Sequence, residues 1–156
     1  MAGPDRHRQR RRVREAAAPG YATGSGQEEL TGVLFDSDVI IEILRGRHRI
    51  IEAAASLERG GIPTYCTAIS WAEIWAGLRS GEEPLAEAFF NSRGEVVLDG
   101  AAGRRAGAYL ARFGPSHGVE IADALVAAAA TTSGLQLWTL NRKHYPMPDL
   151  EFYDTP

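Results

Sequence analysis

From residue 32 onward, short apolar runs alternate with stretches in which apolar residues recur three and four positions apart. Short apolar runs between turn residues are typical of buried strands, and the longer spacing is typical of amphipathic helices. The pattern predicts strands at 33–35, 64–68, 95–98, 135–140 and 150–153. It predicts helices at 39–44, 49–59, 70–79, 83–90, 101–113 and 121–132. This alternation favours an α/β fold with a mostly parallel sheet that is covered on both faces.

Residues 1–30 lack this periodicity and are rich in Arg, Gly, Ala and Ser. They hold six arginines against four acidic residues, whereas residues 31–156 hold 11 basic and 16 acidic residues. We therefore predict a disordered basic leader at 1–30 and one folded domain at 31–156.

Composition excludes several classes of protein. No apolar run approaches the roughly 20 residues that span a bilayer, so no membrane association is predicted. The basic start has no apolar stretch behind it, unlike a secretory signal. Cys66 is the only cysteine, which excludes an internal disulfide and a cysteine-rich zinc site. These features favour a cytoplasmic protein.

Asp36 directly follows the first predicted strand, and Thr139 and Asn141 lie at the end of another. In parallel sheets, binding sites form at the carboxyl ends of strands, where the strand order reverses. Asp38, one step before Val39, is the better candidate for the cap of the next helix. Asp36 is then left without a structural task, which favours a role for it in a site.

Asp123 is the only charged residue between Ile121 and Asn141. A helix this apolar is packed on most of its surface, and a lone buried carboxylate costs several kcal/mol unless it is paired or bound to metal. Alternatively, the carboxylate simply lies in the first helical turn, where the helix dipole favours an acid. The residues alone leave both interpretations open.

Glu73 lies in a predicted helix whose apolar positions form a core stripe. The members of that stripe are Trp71, Ile74, Trp75 and Leu78. Ser70, Glu73 and Gly77 share another face. A glycine inside a helix costs up to about 1 kcal/mol relative to alanine. Space beside a carboxylate for metal or phosphate would explain it, and a surface glutamate with an incidental glycine is the alternative.

Four sequence blocks resemble a known family. They are FDSDVI at 35–40, TAISWAEIWAG at 67–77, IADALVAA at 121–128 and LWTLNRKHY at 137–145. In this order and at this spacing they resemble the signature blocks of PIN-domain ribonucleases. The subgroup that they resemble most is the VapC-type toxins of toxin–antitoxin pairs. The resemblance covers the chain from about Gly32 to the C-terminus.

The resemblance implies a three-layer α/β/α sandwich, Mg²⁺ or Mn²⁺ as cofactor, and hydrolysis of phosphodiester bonds in RNA. Asp36, Glu73 and Asp123 fall on three acidic positions of the family. Asn141 falls on a fourth position that is often Asp, a departure that concerns a second metal more than the first. The implied metal ligands are Asp36 and Asp123, with Glu73 orienting the attacking water. Asn141 and Thr139 would position water or phosphate.

Such a site has a physical need for a cation. Three carboxylates about 5 Å apart repel by roughly 3 kcal/mol per pair at an effective dielectric near 20. Without metal, the cluster should hold a proton or open. Mg²⁺ prefers oxygen ligands and keeps several waters, so a few carboxylates and a substrate phosphate suit it. A bound cation also makes the local charge positive, which allows an acidic domain to bind RNA, a polyanion.

The resemblance also implies partners: the RNA substrate, a small antitoxin that blocks the acidic pocket, and a second copy of the chain in a homodimer. Candidate phosphate contacts are Arg45, Arg47 and Arg49, for which a solvated basic loop is the alternative. Glu120 is either an auxiliary acid or a solvated side chain. Three histidines lack a partner at motif spacing and are interpreted as structural or surface residues: His48, His117 and His144.

Two other functions stay open. A haloacid-dehalogenase-type phosphatase would use Asp36 as nucleophile and Asp38 as general acid. Against it, Ile40 stands where Thr or Val is expected, a late acidic pair is missing, and Lys143 is the only lysine. A PIN-like module that lacks its fourth acid would instead bind RNA or a partner without cutting.

Overall fold

The computed structural model describes residues 32–156, so the predicted leader at 1–30 lies outside the described residues. Four strands form one sheet: β1 Val33–Phe35, β2 Thr64–Thr67, β3 Gly94–Val96 and β4 Gln136–Trp138. The helices are α1 Ser37–Leu44, α2 His48–Arg59, α3 Ala68–Gly77, α4 Glu83–Asn91, α5 Gly100–His117 and α6 Ile121–Thr132. A short 3₁₀ turn, Arg142–His144, follows β4.

Two hydrophobic cores lie on opposite faces of the sheet. Successive side chains of a strand point to opposite faces. In β1, Leu34 accordingly packs into one core with α5 and α6. Val33 and Phe35 pack into the other core with α1, α2, α3 and α4. This arrangement confirms the predicted three-layer α/β/α sandwich.

The strand order is β3-β2-β1-β4, and the three strand pairs are parallel. The chain leaves β1 towards β2 on one side, and it returns to the other side of β1 as β4. The order therefore reverses between β1 and β4, and parallel sheets typically bind ligands at such a reversal, beyond the carboxyl ends of the strands. Phe35 pairs with Trp138, and the N–H of Asp36 donates to the carbonyl of Trp138 over 2.9 Å. This pairing places Asp36 beside the segment that follows β4.

Most element boundaries agree with the sequence pattern, and α6 has the predicted bounds. The helix predicted at 101–113 continues to His117 and ends at Gly118, whose φ of 64° lies in the left-handed region that favours glycine. The strand predicted at 150–153 is reduced to one parallel bridge between Leu137 and Phe152.

The prediction that Asp38 caps the first helix is wrong. The helix α1 begins at Ser37, two residues earlier than predicted, and Asp36 is its N-cap. The side chain of Asp36 accepts a hydrogen bond from the N–H of Ser37 over 2.8 Å. Asp36 therefore has a structural task in addition to any role in a site.

The core stripe predicted on α3 is wrong in part. Ser70 and Ile74 are buried, and the ring of Trp71 stacks on Phe90 with centroids 4.1 Å apart. Trp75 is 42% exposed, because it lies one residue, about 100°, beyond Ile74 around the helix. Gly77 is the last residue of α3 rather than an interior one, and a Cβ added there would meet no atom within 4 Å. Its presence therefore needs no explanation by a neighbouring site.

Within residues 32–156, no helix combines the length and the apolar character that crossing a membrane requires.

Candidate active site

The carboxylate of Asp36 is held by donors from two separate parts of the chain. One oxygen, Oδ1, accepts from the N–H of Ser37 in α1. The other, Oδ2, accepts from the hydroxyl of Tyr145 over 2.8 Å. Each carboxylate oxygen retains a further lone pair, so both can still bind a cation. The half-buried carboxylate therefore has a defined orientation at the carboxyl end of β1.

Asp38 joins α1 to the segment after β4. Its Oδ2 accepts from the N–H of Leu140 over 3.0 Å and from the hydroxyl of Thr139 over 3.3 Å. Its Oδ1 is buried and has no hydrogen-bond partner within residues 32–156. Burial, followed by the charge of Asp36, raises the pKa of Asp38 from 3.8 to about 6. Asp38 is thus an acid of the same site and not the helix cap predicted for it.

Asp123 lies in the first turn of α6, with 22% of its side chain exposed. Its pKa is raised by burial and by the charges of Asp36 and Glu120, and the charge of His144 opposes this shift. The Nδ1 atom of His144 lies 3.8 Å from Oδ2 of Asp123. The charge of Asp36 contributes to the raised pKa of Asp123, so the two carboxylates interact electrostatically. The helix-terminal interpretation of Asp123 also describes its position correctly, so the two interpretations are compatible.

Glu73 reaches this site through Ser37. Its Oε2 accepts a hydrogen bond from the hydroxyl of Ser37, the residue directly after Asp36. The side chain lies on the exposed side of α3. Glu73 therefore contacts the residue next to Asp36, and its second oxygen is free of hydrogen bonds within the described residues.

The segment from Thr139 to Tyr145 closes one side of the site. The Thr139 hydroxyl accepts from the N–H of Asn141 over 3.1 Å. The Asn141 side-chain nitrogen lies 3.0 Å from Nε2 of His144. His144 is exposed, as predicted for a surface residue, and it also lies beside Asn141 and Asp123. His144 and Tyr145 belong to the fourth signature block, which is the one sequence signal that could have identified them.

Burial and the nearby charges of Asp36, Asp123 and Asp38 raise the pKa of Tyr145. The hydroxyl therefore stays protonated at neutral pH and acts as a hydrogen-bond donor. It gives Asp36 a hydrogen bond without giving it a positive charge.

Within residues 32–156, no Lys or Arg side chain forms an ion pair with Asp36, Asp38, Glu73 or Asp123. The same residues contain no group of three or more His, Cys, Asp or Glu side chains that could together hold a metal ion, so the three predicted acids do not form a three-ligand site. An ion such as Mg²⁺ needs no closed site, because it is bound by one or two carboxylates and keeps several waters. The oxygen donors and the unpaired Oδ1 of Asp38 fit such a hydrated hard cation.

Other sequence candidates lie at the margin of the site. Arg45 and Arg47 are exposed and pair with Glu42 at 3.3 and 2.8 Å, and a role for them in phosphate contact stays a prediction. Glu120 is exposed at the N-cap position of α6, where its side chain makes no cap hydrogen bond.

Comparison with known proteins agrees with this geometry. The family model described as PIN domain matches residues 33–150. Ribonuclease VapC10 of Mycobacterium tuberculosis is 36% identical over 121 residues, which cover 74% of this chain and 86% of that protein. Ribonuclease VapC19 of the same organism is 31% identical over 120 residues, covering 76% and 96% of the two proteins. The chain belongs to the PIN domain family.

The curated relatives also confirm the resemblance to VapC proteins. A structure described as a toxin-antitoxin complex from Klebsiella pneumoniae superposes with a TM-score of 0.64 at 19% identity. The superposition covers 76% of this chain and 95% of the matched chain, and it supports the fold. The family match favours a PIN-domain site over the haloacid-dehalogenase alternative.

Proposed function

We propose that the chain is a divalent-metal-dependent ribonuclease, the toxin of a type II toxin–antitoxin pair. Two observations support the proposal. No Lys or Arg of residues 32–156 forms an ion pair with the acids near the carboxyl end of β1, which are Asp36, Asp38, Glu73 and Asp123. The relatives of the chain are named ribonucleases. An uncompensated buried charge costs free energy, so binding of a cation beside these acids is favourable.

Asp36 and Asp123 are the proposed ligands of Mg²⁺ or Mn²⁺. When bound, the ion would supply an activated water and neutralise the charge that develops on the phosphate. Asp36 is suited to this role because its carboxylate orientation is fixed by two hydrogen bonds. Burial, and to a lesser extent the charge of Asp36, raises the pKa of Asp123, and a bound cation would stabilise the ionised carboxylate.

The remaining residues would act on water and substrate. Glu73 contacts Ser37, the residue next to Asp36, and its free carboxylate oxygen can accept a proton of the attacking water and orient it. Asn141 and Thr139 follow β4 and are joined by a hydrogen bond, and their amide and hydroxyl can position water or phosphate. Asn141 brings no charge, which favours a single firmly held ion.

Purified wild-type protein should cleave end-labelled RNA in the presence of Mg²⁺ or Mn²⁺, and a chelator should stop the cleavage. Asp36→Ala should be inactive, since it removes a proposed ligand. RNA that binds but stays intact under all metal conditions would support the non-catalytic alternative. Cleavage that persists in Asp36→Ala would contradict the proposal.

We propose an antitoxin protein as the partner, by analogy with the toxin-antitoxin complex that shares the fold. A groove between α1, α3 and α4 adjoins Glu73 and offers a surface for it. The apolar side chains that line this groove are Ile41, Leu44, Ile74, Leu78 and Leu85. An antitoxin segment that fills this groove and ends in a basic side chain could reach the acids near the carboxyl end of β1 and block them.

Leu85 is 57% exposed in this groove, and Val97, outside it, is 75% exposed. Leu85→Asp should weaken antitoxin binding and retain RNA cleavage, whereas Val97→Asp should affect neither. Equal antitoxin binding by the two variants would place the partner elsewhere. The homodimer stays a prediction, which the mass of the purified chain in light scattering would test.

A further inference from the structure

We propose that Tyr145 is a positioning residue that holds the carboxylate of Asp36 in the orientation required for metal binding. This inference rests on the proposed function, because it assigns the hydroxyl a purpose at the proposed metal ligand.

The geometry of Tyr145 is that of a buried side chain aimed at one acceptor. Tyr145 is 4% exposed, and its ring belongs to the core that packs against α5 and α6. Its hydroxyl lies 2.8 Å from Oδ2 of Asp36, and Asp36 is its one hydrogen-bond partner within residues 32–156. A phenylalanine would fill the same core volume without this bond. The hydroxyl therefore has a task that packing does not explain.

The two donors to Asp36 restrict its carboxylate in different ways. The Ser37 N–H is part of the helix cap and would hold Oδ1 in any protein with this helix start. The Tyr145 hydroxyl comes from a segment 109 residues away along the chain. Together they fix both ends of the carboxylate, so rotation about the Cβ–Cγ bond is restrained before a cation arrives.

A hydroxyl is suited to this task because it is neutral. An arginine or lysine in its place would orient Asp36 but would also cancel the charge that attracts a cation. The tyrosine leaves that charge intact. Residues that hydrogen-bond to metal ligands in this way typically contribute about 10–100-fold to metal affinity.

The chain contains a matched control. Tyr109 is also buried, and its hydroxyl also donates to an aspartate oxygen, Oδ2 of Asp149, over 2.8 Å. The Tyr109 hydroxyl also contacts Arg105 and Thr131, each over 3.1 Å, so Tyr109→Phe removes at least as many hydrogen bonds as Tyr145→Phe. Only the bond of Tyr145 involves a proposed ligand.

The test is calorimetric titration of the full chain and both variants with Mn²⁺. Tyr145→Phe should weaken Mn²⁺ binding by about tenfold, and Tyr109→Phe should stay within twofold of wild type. RNA cleavage by Tyr145→Phe should approach the wild-type rate at saturating Mn²⁺, because the lost affinity is then compensated. A purely structural hydroxyl would lower thermal stability and leave Mn²⁺ affinity unchanged.

If wild type and Tyr145→Phe both bind Mn²⁺ with the same affinity, this inference is overturned and the proposed function stays intact. An equal loss in both variants would also overturn it, because the effect would then be a general one. Failure of the wild type to bind Mn²⁺ would overturn the proposed metal site itself, together with this inference.

Discussion

Two buried tyrosines in this molecule donate to aspartates, in surroundings of opposite charge. The Tyr109 hydroxyl donates to Asp149, and the Tyr145 hydroxyl donates to Asp36, both over 2.8 Å. Arg105 forms an ion pair with Asp149. Within the described residues no Lys or Arg does so with Asp36, whose neighbours are further carboxylates.

The pKa values reflect this difference. Burial raises the pKa of Asp149, but the hydrogen bond from Tyr109 and the charge of Arg105 outweigh burial and lower it overall. The pKa values of Asp38 and Asp123 are instead raised. The pKa of Asp149 is thus lowered beside a tyrosine hydroxyl and an arginine, whereas the acids near Asp36 have no Lys or Arg partner among the described residues.

The largest expected effect is on RNA cleavage. Asp123→Asn should reduce the cleavage rate by at least about 100-fold, because loss of a proposed ligand removes several kcal/mol of charge stabilisation. Asp149→Asn should stay within about threefold of wild type, since its carboxylate is already paired. Initial rates on labelled RNA measure both. Similar cleavage rates in the two variants would show that Asp123 is no more important for cleavage than Asp149.

The second prediction concerns stability against pH. A folded-state pKa near 6 for Asp38, against 3.8 in the unfolded chain, means that the folded state binds the proton more tightly. The contribution of this proton to stability is full below pH about 4 and is lost as the pH rises through about 6. Allowing for solvent screening of a partly exposed group, we expect a loss of about 1–2 kcal/mol.

Urea unfolding of wild type and Asp38→Asn at pH 4.5 and pH 7.5 measures this loss. The asparagine keeps an oxygen acceptor for the Leu140 N–H and cannot titrate. The difference in unfolding free energy between the two proteins should therefore shift in favour of Asp38→Asn at the higher pH. A difference that is independent of pH would show that Asp38 is ionised normally.

The third prediction concerns Asp149, whose carboxylate pairs with Arg105. Asp149→Asn should destabilise the folded chain by about 1 kcal/mol, because it removes the charge that pairs with exposed Arg105 and weakens the bond from Tyr109. Added salt should reduce this cost by screening the lost pair. Thermal melting at low and high salt measures it. A stabilising effect would mean that the charge of Asp149 is also uncompensated.

The smallest expected effect is at Asn141. Asn141→Asp would add a carboxylate beside the proposed metal site. We expect the affinity for Mn²⁺ to rise by about fivefold, equivalent to about 1 kcal/mol. Asn91→Asp, at the end of α4, is the matched control and should leave Mn²⁺ affinity unchanged. Weaker Mn²⁺ binding in Asn141→Asp would indicate that the amide itself is a ligand.

The fold was predictable wherever local pattern decides it. The apolar run of β1 and the alanine-rich stretch of α6 are long or apolar enough that their structure follows from periodicity. The position of Asp36 at the carboxyl end of a strand followed from the sequence pattern, whereas the strand order that reverses beside it required the structure. Helix ends were less predictable, because Asp36 and Asp38 are both acceptable caps and tertiary contacts decide between them.

The contacts within the site were beyond the reach of the sequence pattern. The Tyr145–Asp36 bond joins residues 109 positions apart, and nothing in local spacing specifies it. Trp75 was assigned to the core because its spacing fits a stripe, but only the packing of α3 on its neighbours decides which part of that stripe is buried. Asp36 and Asp123 were candidates from their positions along the chain, and Glu73 was identified mainly through the resemblance. The unpaired oxygen of Asp38 required the structure.

The most direct test of the contrast between the two regions is a calorimetric Mn²⁺ titration of the wild-type chain, Asp123→Asn and Asp149→Asn under identical conditions. Wild type and Asp149→Asn should bind Mn²⁺ with affinities within twofold of each other, and Asp123→Asn should lose most of this affinity. Undiminished binding in Asp123→Asn, or an equal loss in Asp149→Asn, would contradict this prediction.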